Sequence, residues 1–334
     1  MKATTDLPLI RLGLLMPLIE GLEAAGGDAS SVLATHQFDR TLVQTGDLFV
    51  PARTMYALVE SLSEASDDPY FGFHQGERLD PWLWPPLAHA AMGAGTVGEC
   101  LLRFSLVASR EASSIIYGIE TAGPRSTFSG KRVTDGGIRP RHNDGFSIGY
   151  VLRIIRPAVG DAWDGKRVLA RICDPDVIPP GYLDIRLAEG DTLGFTLDFP
   201  TEWLLLPLRL GQPRATPALG REAPVSAMST VDALKQVLIP HLGKRNLDAQ
   251  RVADAIGISK RTLARRLAAE GTSFRAELDR LRRRRAEALL GEGNLTIAEI
   301  GVEIGYPDAA VFSRAFRRWH GCAPSEYRRR VQIT

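Results

Sequence analysis

Cationic and small side chains recur at matching positions in the last third of this 334-residue chain. One set is Lys260, Arg261, Thr262, Arg265 and Arg266, and the other is Ala309, Ala310, Ser313, Arg314, Arg317 and Arg318. A guanidinium bonds in a pair to O6 and N7 of guanine, hydroxyls bond base edges or phosphates, and alanine can meet a thymine methyl. These types therefore offer recognition of duplex nucleic acid rather than bond making. Arg265 and Arg314 hold equivalent positions. Three roles are open to each: reading a base, gripping a phosphate, or bracing the fold through a carboxylate.

The charge is distributed accordingly. Residues 228–334 carry 20 Lys and Arg against 12 Asp and Glu, whereas residues 1–227 carry 21 against 27. A formal net charge of +2 thus hides a basic end and an acidic remainder, a pattern that points the basic part at a polyanion.

The elements that must hold the two sets repeat as well. Val252-Ala253, Ile256-Gly257-Ile258-Ser259, Leu263, Leu267 and Gly271 are echoed by Ile300-Gly301, Ile304-Gly305-Tyr306, Phe312, Phe316 and Gly321. A helix-turn-helix explains each member. Ala253 and Gly301 let a second helix cross closely, Gly257 and Gly305 make the turn, and Leu263 with Leu267, or Phe312 with Phe316, forms the buried stripe. Ser259 and Asp308 suit the N-caps of the second helices. The units span about 248–270 and 297–319, within a domain over 228–334 of seven helices near 231–241, 248–256, 260–270, 274–290, 297–304, 309–319 and 324–331. Gly243, Gly257, Gly271, Gly291, Gly305 and Gly321 are expected to end helices. Between the units, Arg280 and Arg282 to Arg285 lie on a helix of ~17 residues, ~25 Å long, a strut suited to recognition helices set one DNA turn, ~34 Å, apart. Five such arginines cannot all face a phosphate.

Residues 1–209 read as an α+β domain with a small mixed sheet. Helical periodicity covers 7–22, 51–65, 98–108 and 146–155. Short β-branched or alternating runs at 114–119, 168–172, 183–187 and 192–199 suit strands. Pro81 to Pro86 is too proline-dense for helix or central strand and is expected as a structured loop. Pro213, Pro217 and Pro224 punctuate a semi-rigid linker over 210–227. Trp82, Trp84, His89, Tyr117, His142, Tyr150 and Arg153 have the types that line a ligand pocket, although each also serves as ordinary core or surface. Arg132, Arg139, Arg141 and His142 lie in a glycine-rich stretch that suits either an acidic ligand or an exposed loop.

No phosphate loop, nucleophile elbow or metal-spaced ligand set occurs, so neither catalysis nor a cofactor is expected. Cys100, Cys173 and Cys322 are odd in number and far apart, as expected of reduced thiols in a cytoplasmic protein. No run of ~18 apolar residues exists, and no membrane partner is expected.

Over its last hundred residues the chain resembles the AraC/XylS family of transcription regulators. The resemblance runs from Val252-Ala253 through Gly257-Ile258-Ser259-Lys260-Arg261-Thr262-Leu263-Ala264-Arg265-Arg266-Leu267 to Gly271-Thr272-Ser273-Phe274. It resumes at Leu295-Thr296-Ile297-Ala298-Glu299-Ile300, Gly305-Tyr306, Phe312-Ser313-Arg314-Ala315-Phe316-Arg317-Arg318-Trp319 and Pro324-Ser325-Glu326-Tyr327-Arg328. Three departures are Gly301 for the usual Ala, Tyr306 for Phe, and Ala310 for a frequent Ser or Thr. More diffusely, Leu48-Phe49-Val50-Pro51, Asp68-Pro69-Tyr70-Phe71-Gly72 and Gly95-Thr96-Val97-Gly98-Glu99 resemble the branch whose sensor is arabinose-binding-like. The resemblance implies a homodimer that binds double-stranded promoter DNA, senses a small-molecule effector (not necessarily arabinose) and acts as an activator with RNA polymerase. An N-terminal domain that only dimerises, without an effector, is the alternative.

Overall fold

The computed structural model describes residues 7–45, 48–135, 137–211, 228–244 and 247–331. The chain divides into two compact units, Met1–Met228 and Ser229–Thr334. The expected linker lies outside the described residues from 212 to 227. Its first residue does not: Leu210 is buried, and its carbonyl accepts from the Trp82 indole N–H. It belongs to the N-terminal core.

The N-terminal unit begins with strand β1 (Leu9–Arg11), then α1 (Met16–Ala24), α2 (Ala29–Thr35) and α3 (Arg40–Thr45). Strand β2 (Phe49–Pro51) pairs antiparallel with β1, Ile10 opposite Val50. The helix expected over 7–22 is therefore corrected to strand, a 3-10 turn and a shorter helix. Its leucines recur at helical spacing, yet a partner 40 residues away takes Leu9–Arg11 into a ladder. Next come α4 (Ala52–Glu64), α5 (Phe71–Glu77), α6 (Pro85–Ala91) and α7 (Val97–Glu111). The proline-rich loop thus covers only 81–84, because Pro85 and Pro86 open α6, where their missing N–H groups cost nothing.

Strands β3 (Ile115–Ala122) and β4 (Arg125–Arg132) form a hairpin, followed by α8 (Arg141–Val159), β5 (Leu169–Ile172), β6 (Arg186–Glu189) and β7 (Gly194–Pro200). The five-stranded sheet has the order β3-β4-β7-β5-β6, antiparallel except for β5 with β6. It is the mixed sheet expected, with one strand more than the sequence disclosed. Leu183 lies in a turn with positive φ, not in a strand.

Helices α5 and α8 meet almost backbone to backbone. Gly72 and Gly76 on one, Gly145 and Gly149 on the other, supply small residues at four-residue spacing. A methyl at Gly76 would lie 2.2 Å from the Phe146 carbonyl oxygen, and one at Gly149 would lie 2.5 Å from that of Phe73. No real packing tolerates such distances, so these glycines fix how deeply α8 sits in the core. That depth carries Asn143, Phe146, Ser147 and Tyr150 to the position described below.

Among the described residues the C-terminal unit holds seven α-helices: α9 (Thr230–Leu238), continued by a 3-10 turn over Ile239–His241, α10 (Ala249–Ile256), α11 (Lys260–Ala269), α12 (Phe274–Glu292), α13 (Ile297–Glu303), α14 (Ala309–His320) and α15 (Pro324–Val331). Local chemistry accounts for the boundaries. Asp248, Ser259, Ser273 and Asp308 each cap a helix by accepting from a backbone N–H in its first turn, and Thr296 with Glu299 forms a capping box. One expected stop is corrected: Gly291 lies within α12, and Gly293, with φ of +76°, ends it. Gly243 lacks the positive φ of a helix terminator.

Candidate functional sites

The two helix-turn-helix pairs are α10 with α11 and α13 with α14. In the first, Val252, Ala253, Ile256, Leu263 and Leu267 are buried; in the second, Ile300, Ile304, Phe312 and Phe316. Gly301 has a reason to lack a side chain, since a methyl there would lie 3.2 Å from Phe312 Cβ. Gly305, with φ of +84°, would place one 2.4 Å from the Leu242 carbonyl oxygen. The phenol ring of Tyr306 lies beneath the Arg282 guanidinium, 5.1 Å from its centroid.

With one side of α11 buried, Lys260, Arg261, Ala264, Arg265 and Ala268 are left exposed on the other. On α14 the exposed residues are Ala310, Arg314, Arg317 and Arg318, with Ala309 and Ser313 half-buried beside them. Among the described residues, Arg261, Arg265, Arg314 and Arg317 have no ion pair and no side-chain hydrogen bond. Bracing through a carboxylate, one of the roles open to Arg265 and Arg314, is not what they do.

The rest of the expected set separates. Thr262 is half-buried, its hydroxyl bonded to that of the capping Ser259 at 2.8 Å. Arg266 is half-buried and partnered within the chain. Arg318 is exposed but donates to Asp279 at 3.0 Å. The arginine run on α12 is mostly structural. Arg280 pairs with Glu277, Arg283 with Glu287 and Arg285 with Glu303, while Arg282 braces Gly305 and Tyr306. Only Arg284 of the five is left unpaired among the described residues.

The N-terminal unit holds a cavity of about 70 Å³ that is partly open to solvent. Rings of Tyr56, Trp84, Phe104, Tyr117, Phe146 and Tyr150 form much of its wall, with Leu15, Leu18, Met55 and Val59. Trp84 stacks on Phe104 at 6.0 Å and meets Phe146 edge-on at 5.6 Å. Polar atoms come from the three tyrosines, Asn143, Ser147 and Glu111, and the buried Trp84 indole N–H has no acceptor among the described residues. Burial pushes Tyr117 up to about 12, with the Tyr150 hydroxyl partly offsetting it. Tyr150 is raised well above its ordinary value by burial and by Tyr117. Both are neutral hydroxyls at physiological pH.

Two buried ion pairs brace this region. Glu111, on the cavity wall, accepts from Arg11 Nε at 2.5 Å, both side chains under a tenth exposed. Arg132 on β4 pairs with Asp144 on α8, donates to the Thr192 carbonyl at 3.0 Å and lies 5.2 Å from the Tyr56 ring centroid.

Of the seven expected pocket residues, Trp84, Tyr117 and Tyr150 come together in this cavity, and four do not. Trp82 is a core side chain tied to Leu210, and His89 bonds the Pro85 carbonyl within its own helix. Arg153 borders a separate groove with Glu77, Arg156 and Tyr182. His142 is buried at the start of α8, its Nδ1 accepting from the Gly72 N–H at 3.4 Å. The glycine-rich stretch offers an acidic ligand no free cation. Arg132 and Asp144 are paired, Arg139 reaches Glu189 and the Cys173 carbonyl, and Arg141 reaches Glu60. Tyr56, Phe104, Asn143, Phe146 and Ser147 are members of the wall that the sequence did not single out. They come from three helices, and only the fold brings them together. Burial also pushes the Cys100 and Cys173 thiols up to about 12, so neither is a reactive thiolate.

Burial, with the neighbouring Arg141 charge, pushes His142 down to about 4 from an ordinary value near 6.5. The unfolded chain therefore binds a proton at pH 5 that the folded chain does not. The stability this lends is complete above pH 6.5 and is lost as pH falls toward 4. Urea titrations followed by tryptophan emission should show that loss in the N-terminal unit, and His142→Gln should flatten it. An unchanged slope in the variant would refute the assignment.

Comparison with known proteins adds two family matches. Residues 252–330 match a helix-turn-helix domain, and residues 26–175 match the arabinose-binding N-terminal domain of AraC transcription regulators. An uncharacterized HTH-type transcriptional regulator of Mycobacterium tuberculosis is 49% identical over 79 residues, 24% of this chain and 23% of that one. The chain thus spans under a quarter of that relative's length. The HTH-type transcriptional regulator VirS of the same species is 27% identical over 337 aligned residues, covering 96% of both chains. The ornithine utilization regulator of Pseudomonas aeruginosa is 32% identical over 148 residues, 42% of this chain and 43% of that one. Among the described residues no helix is long and apolar enough to cross a membrane. With one family profile on its N-terminal part, another on its helix-turn-helix part, and a relative aligned along nearly its whole length, the chain belongs to the AraC family of transcription regulators, in the branch with an arabinose-binding-type N-terminal domain.

Proposed function

We propose that the chain is an effector-responsive, sequence-specific DNA-binding activator whose monomer reads two adjacent major-groove segments, one with α11 and one with α14. The observation that carries this reading is the equivalent pair Arg265 and Arg314. Each is exposed without a protein partner on a helix whose other side is core. A planar fork of donors held that way fits guanine O6 and N7. Arg261, Arg284 and Arg317 supply phosphate contacts that set the register. Helix α12, 19 residues and so ~28 Å long, joins the two units.

The cavity walled by Trp84, Tyr117 and Tyr150 is the effector site in this reading. Its lining is mainly aromatic and aliphatic, which suits a small, largely apolar molecule with an acceptor for the Trp84 N–H better than a polyol needing many hydrogen bonds. Its volume is about half the ~150 Å³ that accommodates benzene. A ligand of that size displaces side chains on α4, α7 and α8, and so couples binding to a shift of packed helices. Such coupling is typically worth ~1–3 kcal/mol between sites. The active form is a homodimer that contacts RNA polymerase.

Genome-fragment selection with the full-length chain, with thermal melts against a metabolite panel, tests this. Enrichment of a shared sequence and a raised melting temperature with one compound class are expected. Sequence-indifferent binding would end the specific-regulator reading, and a panel without any shift would favour a dimerisation platform lacking an effector.

A further inference from the structure

Helix α9 opens the C-terminal unit, and its two ends are held by different helix-turn-helix units. At its start the Thr230 and Val231 N–H groups donate to Glu270 Oε1 at 2.7 Å and Oε2 at 3.1 Å. Glu270 is the residue that ends α11. The first turn of a helix leaves four N–H groups without intrahelical acceptors. Here Glu270 takes two of them, and the Ser229 hydroxyl accepts a third, from Asp232 at 3.0 Å. The dipole of α11 disfavours a carboxylate at its C-terminal end, whereas that of α9 favours one at its N-terminal end. Between the two dipoles, then, it is α9 that holds the carboxylate in place. Along its length α9 buries Ala233, Leu234, Val237 and Leu238 and packs on α11 and α12. Beyond the 3-10 turn Ile239–His241 the chain reaches the second unit. The Leu242 and Lys244 carbonyl oxygens lie so close to Gly305, in the turn between α13 and α14, that a methyl there would come within 2.4 and 3.1 Å of them. A methyl at Gly243 would likewise lie 3.0 Å from the Glu303 carbonyl oxygen, at the end of α13. Helix α9 and its 3-10 turn, ~20 Å together, thus run from the end of one recognition helix to the turn that precedes the other.

We infer that Glu270 is a positioning residue for DNA reading: by fixing the start of α9 to the end of α11, it makes α9 a second brace, beside α12, that sets the interval between α11 and α14. Helix α12 by itself joins the units as a rod with a turn at each end. A second connection closes the frame. Neither recognition helix can then swing without breaking the Glu270 bonds or lifting Leu242–Lys244 from Gly305. Both Glu270 bonds are made to a charged acceptor, which places them among the stronger hydrogen bonds. Two segments are read together only where the interval between α11 and α14 matches theirs, and one base pair changes the latter by ~3.4 Å and ~35°. This inference rests on the two-segment reading of DNA, and it names what fixes the interval.

The test is binding of the full-length chain to its selected site and to sites with one base pair added or removed between the two segments. Wild type is expected to bind the altered spacings about 10-fold or more weakly, as for losing the bases read by one unit. In Glu270→Ala that penalty should shrink several-fold, while discrimination within each segment stays. Glu270→Gln, which retains one acceptor oxygen, should fall between the two. Gly243→Val, which crowds the other end of the brace, should shrink the penalty as well. Melting curves establish which variants are folded, and the milder Glu270→Gln carries the comparison if Glu270→Ala is not. A purely structural role would weaken binding by one factor at every spacing and leave the penalty intact. An intact penalty in the folded variants would overturn the role of Glu270 while leaving the two-segment reading standing. A wild-type chain indifferent to spacing would overturn both.

Discussion

Asp144→Ala should lower the stability of the N-terminal unit by about 3–5 kcal/mol, the range for breaking one partner of a buried ion pair. Arg132, only 7% exposed, would keep its charge and lose its carboxylate. The Thr192 carbonyl and the face of Tyr56 would remain, and neither carries a formal charge. The loss extends to the helix end, because Asp144 Oδ2 also accepts from the Cys173 N–H, tying α8 to the segment after β5. For a unit of this size the melting temperature should fall by about 6–20 °C. Four of the five tryptophans, at 82, 84, 163 and 203, lie in the N-terminal unit, so their emission reports the transition. Arg132→Met added to Asp144→Ala should recover much of the loss, because removing both charges leaves none stranded. A single variant that lost under about 1 kcal/mol would show that the pair is replaced by water or by another acceptor.

The second large effect belongs to the DNA-reading arginines. Arg265→Ala and Arg314→Ala should each weaken binding to the selected sequence by about 1–3 kcal/mol and relax discrimination at one position of the site. In dissociation constants this is about 5- to 150-fold. The two changes lie in separate helix-turn-helix units, so their costs should roughly add. Arg284→Ala should behave differently, weakening all sequences alike and making the salt dependence shallower. Protein stability should be nearly unchanged in all three, since none of these side chains has a partner among the described residues.

Legibility in the sequence followed how local the determinants are. In the C-terminal unit a capping serine, threonine or aspartate starts six of the helices, and glycines at positive φ follow several of them. All seven helices and the faces left over by their buried stripes could therefore be read from neighbouring residues. The misplaced stop at Gly291 shows the limit. Gly291 and Gly293 are equally able to end α12, and only the backbone conformation at Gly293 distinguishes them.

The N-terminal unit hid what depends on distant partners. Strand β4, Arg-Ser-Thr-Phe-Ser-Gly-Lys-Arg, buries Ser126, Phe128, Ser129, Gly130 and Arg132. With one large apolar residue among five, it carries no hydrophobic alternation, and it is recognisable only because β3 and β7 flank it. Arg132 looked like a loop cation for the same reason: its carboxylate lies on α8, on the far side of residues that read as flexible. Trp84, Tyr117 and Tyr150 could be picked by type, but so could Trp82, His89, His142 and Arg153. What separates the two groups is the glycine-mediated closeness of α5 and α8, a contact between segments 70 residues apart. The arginines on α12 posed the converse case, where charge on a helix suggested a ligand and neighbouring glutamates satisfied most of it.

The claim that each helix-turn-helix unit reads its own segment is tested most directly by footprinting on a selected site at physiological salt. Wild type, Arg265→Ala and Arg314→Ala should be compared against sites altered in one segment at a time. Two adjacent protected major-groove segments per monomer are expected, with each variant indifferent to changes in one segment and still sensitive to changes in the other. Protection of a single segment, or the same uniform loss in both variants on every site, would contradict the account.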